Sequence, residues 1–360
     1  MIRILHLKGL TMLINSTYKK EDCIFLLKDL TNIMPSTSLE KKEKMIEFGI
    51  NYSEMITDEI PVSDEINQVF KKLLLEEKSE IAKYVAIVSQ GIMELYETPI
   101  LVSLARAGTP IGVLIKRYIK FKYNINVSHY SISIIREKGI DTNAIDYIVN
   151  KHHSNRLVFI DGWTGKGSIT DELEKSISQY NETNGTDILS DLVVLADPAK
   201  RSLLSGTKKD ICIPNACLNS TVTGLVSRTI QNDTYIENDD FHGAKVYTYL
   251  KPYDFTNYFI DEIVKEFKIN KQNITLSRDK KYVSKVLEHI MNEYQVTDKN
   301  KIKLSIGETS RAVIRRNPRL ILVKNKHNPD LKFILEMATK KHIEVREADT
   351  FDYECISILQ

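Results

Sequence analysis

The chain has 360 residues, 50 Lys and Arg against 48 Asp and Glu, and 42% hydrophobic side chains. This length predicts two domains, and the composition excludes whole-chain disorder and a disulfide-dense scaffold. No stretch approaches the roughly 20 apolar residues of a membrane-spanning helix, and the first residues lack the cleavage site of a signal peptide. The four scattered cysteines exclude an all-cysteine zinc site, and we expect a cytoplasmic protein without disulfides or membrane contact.

Helical periodicity dominates the start of the chain. Residues 1–50 are predicted to form an N-terminal helical region, and the helical pattern runs from Glu21 to Lys83 with a loop around Pro35. Ser38 precedes a run of charged residues and is predicted to cap a helix.

Short apolar runs then alternate with helical segments. The runs cover residues 99–104, 127–135, 157–160 and 192–195. Short buried strands that alternate with helices indicate βαβ units, in which a parallel sheet carries helices on both faces. Residues 51–267 are therefore predicted to form one α/β core.

Polar turns follow three of these strands, after Leu104, Ile160 and Leu195. In open parallel sheets, ligands bind beyond the carboxyl ends of the strands. We therefore expect the three turns to converge on one cleft.

The C-terminal part of the chain is basic. Residues 268–300 are predicted as a polar linker that leads into a helix, and residues 301–360 as a small αβα domain. Between Lys301 and Asp349 there are twelve Lys and Arg against six Asp and Glu, a local charge of +6 that the whole-chain balance hides.

The turn after the third strand has the composition of a phosphate-binding loop. Residues 161–168 are DGWTGKGS, and a predicted helix follows them. Glycines let the backbone approach a ligand closely, and N–H groups at a helix N-terminus favour phosphate. The spacing excludes a P-loop, because Gly167 stands where Ser or Thr is needed, and it also excludes the dinucleotide fingerprint. An ordinary glycine-rich turn is the alternative.

This loop resembles the phosphoribosyl-pyrophosphate loop of type I phosphoribosyltransferases, and segment 103–110 is similar to the pyrophosphate loop of that family. The resemblance implies a Rossmann-like core of that type, with Asp161 on the ribose, Arg106 on the pyrophosphate and a Mg²⁺ ion carried by the substrate. It also implies a set of phosphate-binding residues: Thr164, Gly165, Lys166, Gly167 and Ser168 in one loop, and Ala107, Gly108 and Thr109 in the other. Gly162 stands where that family has a second acid.

Six motifs occur in the order typical of the StiP family of bacterial proteins, which this chain resembles from about Thr17 to Asp261. They are residues 52–55 (YSEM), 103–110, 129–136, 161–167, 213–229 and 241–245. That family is associated with tellurium-resistance and stress operons, and has been described both as phosphoribosyltransferase-like and as a cysteine protease. The leading hypothesis is a phosphoribosyltransferase-like enzyme acting on a phosphoribosyl or nucleotide-like substrate. Asn51 stands where the family usually has a histidine.

Cys217 is the candidate nucleophile of a second hypothesis, a cysteine hydrolase. The segment from Pro214 to Thr221 leads into a predicted helix, and a helix N-terminus favours the thiolate form of a cysteine. His129 or His242 would act as the base of a Cys–His pair. The alternatives for Cys217 are a small buried cysteine and a phosphate- or sugar-binding loop. His129 has the alternative of a hydrogen-bonded core residue, whereas the loop-like segment around His242 favours a functional role.

The C-terminal domain is predicted to bind RNA. Gly307, Arg311, Arg315 and Arg316 fall on or beside one predicted helix, which would place several guanidinium groups near the N-terminus of a helix. The segment from about Lys301 to Leu359 resembles the Pelota-type RNA-binding domain. No stacking aromatic side chains are evident, so recognition of shape and backbone is expected. A third hypothesis is a non-catalytic protein that senses a nucleotide and binds RNA.

Overall fold

A computed structural model describes residues 13–153 and 156–360. The described helices are α1 (Leu39–Glu47), α2 (Asp64–Leu95), α3 (Thr109–Tyr123), α4 (Thr142–His152), α5 (Ser168–Asn184), α6 (Thr256–Val264), α7 (Tyr282–Glu293), α8 (Ile306–Arg315) and α9 (Lys332–Lys340). The strands are β1 (Ile24–Phe25), β2 (Lys28–Asp29), β3 (Ile100–Leu104), β4 (His129–Ile132), β5 (Ile134–Ile135), β6 (Gly139–Ile140), β7 (Leu157–Trp163), β8 (Leu192–Ala196), β9 (Ser205–Thr207), β10 (Gly243–Ala244), β11 (Ile302–Leu304), β12 (Pro318–Val323), β13 (Glu344–Glu347) and β14 (Cys355–Leu359).

A six-stranded parallel sheet forms the centre of the core. Its strand order is β1-β4-β3-β7-β8-β9, and every pairing is parallel. In register, Val102 of β3 lies between Tyr130 of β4 and Phe159 of β7. The predicted α/β core with a parallel sheet is confirmed.

Helices cover both faces of this sheet. On one face, Leu101 and Val158 belong to an apolar cluster with Leu114 of α3 and side chains of α2 and α6. On the other face, Val102 and Phe159 cluster with side chains of α4 and α5. Successive strand residues point to opposite faces, so each apolar run is buried on both sides.

The N-terminal part differs from the helical prediction. Residues 24–29 contain β1, which pairs with β4 at the edge of the sheet, and β2, which pairs with β10. Leu26 and Leu27 between them are fully buried. Sheet pairing therefore outweighs helical periodicity over these residues. Helix begins only at α1, where Ser38 caps the N-terminus as predicted by accepting a hydrogen bond from the N–H of Lys41. Residues 1–12 of the predicted region lie outside the described chain.

The C-terminal unit has a mixed four-stranded sheet, with the order β11-β14-β12-β13. Along β12, Ile321 and Val323 pack with α8 and α9, whereas Leu320 and Leu322 pack with α7 on the other face. Helix α7 therefore belongs to this unit rather than to a linker. Strands β11 and β13, three and four residues long, have no counterpart in the sequence prediction.

Hydrogen bonds join the two units directly. The buried carboxylate of Asp210 accepts the N–H groups of Ile306 and Glu354, at 3.0 Å each. The hydroxyl of Tyr353 donates to the carbonyl of Gly165 at 2.8 Å. The N-terminus of α8 is thereby held against the segment that follows β9, and the residues just before β14 are held against both this segment and the turn that follows β7. In the described part of the chain, no helix combines the length and apolarity that a membrane crossing requires.

Candidate functional site

A cleft of about 570 Å³ lies between the core and the C-terminal unit. The turns after β3 and β7 line it from the core side, and α8 lines it from the other. The turn after β8 lies behind the cleft, where Asp197 is fully buried. The Asp197 carboxylate accepts hydrogen bonds from the hydroxyl of Thr164 and from the N–H groups of Arg201 and Ser202, the latter two at 2.9 Å each. Two of the three predicted turns thus line the cleft, and the third supports one of them.

Asp161 lies at the carboxyl end of β7, where the sequence places it. Its carboxylate accepts the N–H of Gly162 at 2.7 Å. Burial raises the pKa of Asp161 to about 6, against the opposing effects of that N–H and of the Arg311 guanidinium. Asp161 is therefore an acceptor on the cleft wall that ionises within a physiological range of pH.

The loop that follows is built from glycines in close contact with their neighbours. A Cβ at Gly165 would lie 3.0 Å from Glu308 and 3.1 Å from the carbonyl of Leu304, so this glycine lets α8 approach. Gly167 has a φ of +81° and packs on Arg201, and Ser168 then begins α5. Thr164, Gly165, Lys166, Gly167 and Ser168 all line the cleft.

Lys166 reaches across to the C-terminal unit. Its ammonium group donates to the carbonyl of Lys299 at 2.9 Å. Burial and the neighbouring charge of Lys303 lower the pKa of Lys166 to about 8. Burial of the ammonium group is the main cause of this lowered pKa, and the carboxylates of Glu308 and Asp298 partly oppose it.

The turn after β3 is packed tightly on β7. A Cβ at Gly108 would overlap the carbonyl of Ile160, and the hydroxyl of Thr109 is hydrogen bonded to Ser131 at 2.8 Å in the core. The peptide between Ala105 and Arg106 is cis. Ala107 lines the cleft, whereas Gly108 and Thr109 lie behind its wall. The Thr109 hydroxyl faces Ser131, not the phosphate site that the resemblance implies.

Arg106 lines the cleft but is engaged by a carboxylate. Its guanidinium forms an ion pair with Glu59 at 2.5 Å and donates to the carbonyl of Val226 at 2.8 Å. Burial alone would raise the pKa of Glu59, but the Arg106 guanidinium holds it below its usual range. A pyrophosphate group at Arg106 would have to share this guanidinium with Glu59.

The cleft is strongly basic. Within the described chain, seven cationic side chains line it against two acidic ones. The cations are Arg106, Arg136, Lys166, Arg228, Lys303, Arg311 and Arg316, and the acids are Asp161 and Glu308. The sequence prediction did not include Arg136, Arg228 or Lys303. Arg136 ends the 129–136 motif and Arg228 lies within the 213–229 motif, which are local signals, whereas nothing in the sequence around Lys303 indicates a cleft.

The predicted RNA-binding helix faces the core. A Cβ at Gly307 would lie 2.7 Å from the indole of Trp163, and the Arg311 guanidinium lies over that ring at 4.6 Å from its centroid. Arg316 is exposed at the edge of the cleft. Arg315 lies in the last turn of α8, and its side chain is outside the described structure.

Cys217 lies in the wall of the cleft but not at its surface. Asn215 and Leu218 on either side line the cleft, whereas Cys217 is buried among apolar residues that include Ile306. The predicted helix after this cysteine is wrong: short 3-10 turns, Pro214–Cys217 and Ser220–Val222, occupy the segment. No α-helix N-terminus therefore stabilises a thiolate at this position.

The neighbour of Cys217 is a second thiol. A hydrogen bond with Cys217 and burial both raise the pKa of Cys212 well above the usual value of a thiol. Cys212 therefore keeps its proton and can donate its S–H to the sulfur of Cys217. The sequence offers no sign of this pair, because the two residues are five positions apart in an irregular loop.

Neither predicted histidine pairs with Cys217 in the described structure. His129 is hydrogen bonded to Ser103 at 2.8 Å and to the carbonyl of Asp22 at 2.8 Å. His242 is hydrogen bonded to Ser133 at 2.8 Å. Burial lowers the pKa of both histidines to about 4, so both are neutral at pH 7. Both are hydrogen-bonded, buried residues. This is the alternative that the sequence leaves open for His129, whereas the functional role predicted for His242 from its loop-like segment is not what this geometry shows.

Among the described residues, no group of three or more His, Cys, Asp or Glu is arranged to hold a metal ion. In the cleft, the carboxylates of Asp161 and Glu308 are the acidic oxygen atoms that a cation carried by a ligand would meet.

Fold and cleft define a two-domain α/β protein in which a parallel-sheet core and a basic C-terminal unit enclose a cationic cleft. Residues 16–264 match the family described as tellurite-like stress resistance cysteine protease StiP, and residues 282–360 match the PELOTA RNA binding domain. The cysteine protease StiP of Acinetobacter baylyi is 33% identical over 365 aligned positions, which cover 96% of this chain and 94% of that protein. The chain therefore belongs to the StiP family and carries a C-terminal Pelota RNA-binding domain.

Proposed function

We propose that this protein is a thiol hydrolase of the peptidase type, with Cys217 as its nucleophile. The support comes from the family description and from the name of the Acinetobacter relative, which both specify a cysteine protease. These comparisons favour hydrolysis over the phosphoribosyl transfer that the loop resemblance implies.

The observation that selects Cys217 is its place in the chain segment that forms the cleft wall. Its neighbours Asn215 and Leu218 line the cleft, and the Cys212 thiol lies beside its sulfur. In the proposed reaction, the sulfur of Cys217 attacks a peptide carbonyl and the amine leaves with the proton of the thiol. Water then cleaves the resulting thioester, which releases the carboxylic acid and restores the thiol. Because Cys217 is 3% exposed, we expect the segment to open before a peptide reaches it.

The test is hydrolysis of a fluorescent casein by the full-length protein and two matched variants. Cys217→Ala is expected to abolish hydrolysis and to remove one site of alkylation by iodoacetamide. Cys212→Ala, which removes a thiol from the same apolar cluster, is expected to retain measurable hydrolysis. Full activity in Cys217→Ala, or loss of activity only in Cys212→Ala, would refute this assignment.

A second function is favoured by the charge of the cleft: binding of a phosphate-bearing small molecule of the phosphoribosyl or nucleotide type. Seven cations against two acids, beside the N-terminus of α5, suit a diphosphate group with an associated Mg²⁺ ion. Asp161 would accept ribose hydroxyls, and Lys166 would contact phosphate oxygens.

Thermal unfolding with phosphoribosyl pyrophosphate and Mg²⁺ tests this second function. A ligand at about 100 times its Kd stabilises the folded state by about 2.7 kcal/mol, which is a readily measured rise in Tm. Lys166→Met and Asp161→Asn should lose the rise, and Lys175→Met, at an exposed lysine of α5, should keep it. An equal rise in all variants would place the ligand elsewhere.

A further inference from the structure

Cations of two different domains meet in the cleft. Arg136 and Lys166 come from the core, whereas Lys303, Arg311 and Arg316 come from the Pelota domain. Their charges are close enough to act on one another: after burial, the charge of Lys303 contributes most to lowering the pKa of Lys166, and Arg136 adds to it. A partner with one negative charge would neutralise only a fraction of the positive charge of these five side chains.

The helix that carries the arginines of the Pelota domain is fixed on the core. Trp163 of β7 packs on Gly307, and the Arg311 guanidinium lies over the same indole. Asp210 holds the first N–H of α8 from the core side. The arginine-bearing helix therefore forms one wall of the cleft, and it contacts the glycine-rich loop after β7, which also lines the cleft.

Three buried polar atoms of residues that line the cleft lack a hydrogen-bond partner in the described structure. They are Oδ1 of Asn215 and the hydroxyl of Thr170, in residues that are 4% and 2% exposed, and Nε of Arg311. Because unpaired buried polar groups are costly, they point to a ligand that supplies donors and acceptors as well as negative charge. Ribose hydroxyls and the amino groups of nucleobases provide both.

We infer that this cleft is a channel for single-stranded RNA, in which phosphates of one strand contact the core and the Pelota domain together. A space of about 570 Å³ has the size of a small-molecule pocket and admits a nucleotide or two rather than a duplex. The family match assigns RNA binding to residues 282–360 alone. The inference adds Lys166 and Arg136 of the core to the RNA site. It rests on the Pelota domain, and its cations share the cleft with the proposed peptidase but do not include Cys217.

The experiment is a fluorescence anisotropy titration of the full-length protein with a labelled single-stranded RNA of roughly 12 nucleotides. Titrations from about 50 to 200 mM salt give the slope of log K against log salt, whose magnitude decreases by about 0.7 for each single-strand phosphate that the protein no longer neutralises. Lys166→Met and Arg316→Met are each expected to weaken binding several-fold and to lower the slope. Lys166→Arg should restore both the affinity and the slope.

Matched controls come from exposed lysines outside the cleft, one in each domain. Lys175→Met in the core and Lys332→Met in the Pelota domain should bind as the unmodified protein does. Inorganic pyrophosphate at millimolar concentration should displace the RNA, because both ligands would use Lys166. Melting temperatures establish that each variant is folded.

Specific outcomes would overturn the inference. If Arg316→Met weakens binding while Lys166→Met does not, RNA is held by the Pelota domain alone. If a duplex binds as tightly as the single strand, or pyrophosphate leaves RNA bound, the RNA lies outside the cleft. The casein assay reports on Cys217 separately, so failure of one proposal is distinguishable from failure of the other.

Discussion

At the scale of single residues, burial decides what the titratable side chains can do. The pKa of Asp210 is raised to about 7, because the carboxylate is 4% exposed, although it accepts N–H groups from α8 and from the segment before β14. A carboxyl group whose folded pKa exceeds its unfolded value favours the folded state at low pH and loses that contribution as pH rises through the folded value. The hydrogen bonds by which the Asp210 carboxylate joins the two domains are therefore sensitive to pH.

Asp210→Asn should change the pH dependence of stability. The pKa of Asp210 is raised from an ordinary value of 3.8 to about 7, which corresponds to a contribution to stability of at most about 4 kcal/mol. This contribution is present in full below pH 3.8 and is lost by about pH 7. The free energy of unfolding of the unmodified protein should therefore fall, relative to the variant, as pH rises across this range. Urea unfolding at several pH values measures the difference. A difference that does not vary with pH would contradict the assignment.

At the scale of elements, local pattern predicts the central strands well and docking poorly. The runs that became β3, β7 and β8 are apolar except for Ser103 in β3 and Asp161 and Gly162 near the end of β7, and burial on both faces makes such strands visible in the sequence. The segment after Cys217 shows a helical spacing at Val222, Leu225 and Val226, and these side chains are indeed buried. Its backbone nevertheless turns at Leu225 and at Gly224, which have positive φ angles, so no helix forms.

Helix α8 offers a direct test of its docking. Gly307→Ala replaces a poor helix former by a good one, which alone would favour the helix by about 1 kcal/mol. The new Cβ would meet the Trp163 indole at 2.7 Å, and overpacking of this kind costs about 1 to 3 kcal/mol. We expect a lower Tm and a red shift in the emission of Trp163, which is the single tryptophan of the sequence.

Gly162→Ala is the matched control for this substitution. Its Cβ would have the carbonyl of Ala107 as its nearest neighbour, at 3.8 Å, so neither Tm nor emission should change appreciably. An unchanged spectrum in Gly307→Ala would mean that α8 does not rest on Trp163.

At the scale of the whole molecule, the Pelota domain covers the two thiols of the core. Cys212 and Cys217 share an apolar cluster with Ile306 and Val313 of α8. The two thiols are shielded from reagents in solution as long as the two domains stay in contact. Access to Cys217 and the integrity of the interface are therefore linked.

Ile306→Ala should expose these thiols. Truncating a fully buried isoleucine at the interface lowers the free energy of unfolding by about 2 to 5 kcal/mol, and it weakens the packing of α8 over the two thiols. Ellman's reagent should then react faster with Cys212 and Cys217 in the folded protein. Ile290→Ala removes an equally buried isoleucine from the opposite face of the same sheet and should leave the rate unchanged. Equal acceleration in both variants would indicate general destabilisation.

The sequence by itself determined the parallel α/β core, the polar turns at its strand ends, the family and the RNA-binding domain, because apolar runs, turn residues and motifs are local features of the chain. Only the tertiary structure decided that His129 and His242 are satisfied by serines, that Glu59 engages Arg106, and that α8 closes the cleft. Arg311 and Trp163, in cation–π contact, are 148 positions apart in the chain (311 − 163), and no local pattern encodes such a contact. The Arg311–Trp163 contact forms only when the two domains pack together, and buried Asp210 joins them through its hydrogen bonds.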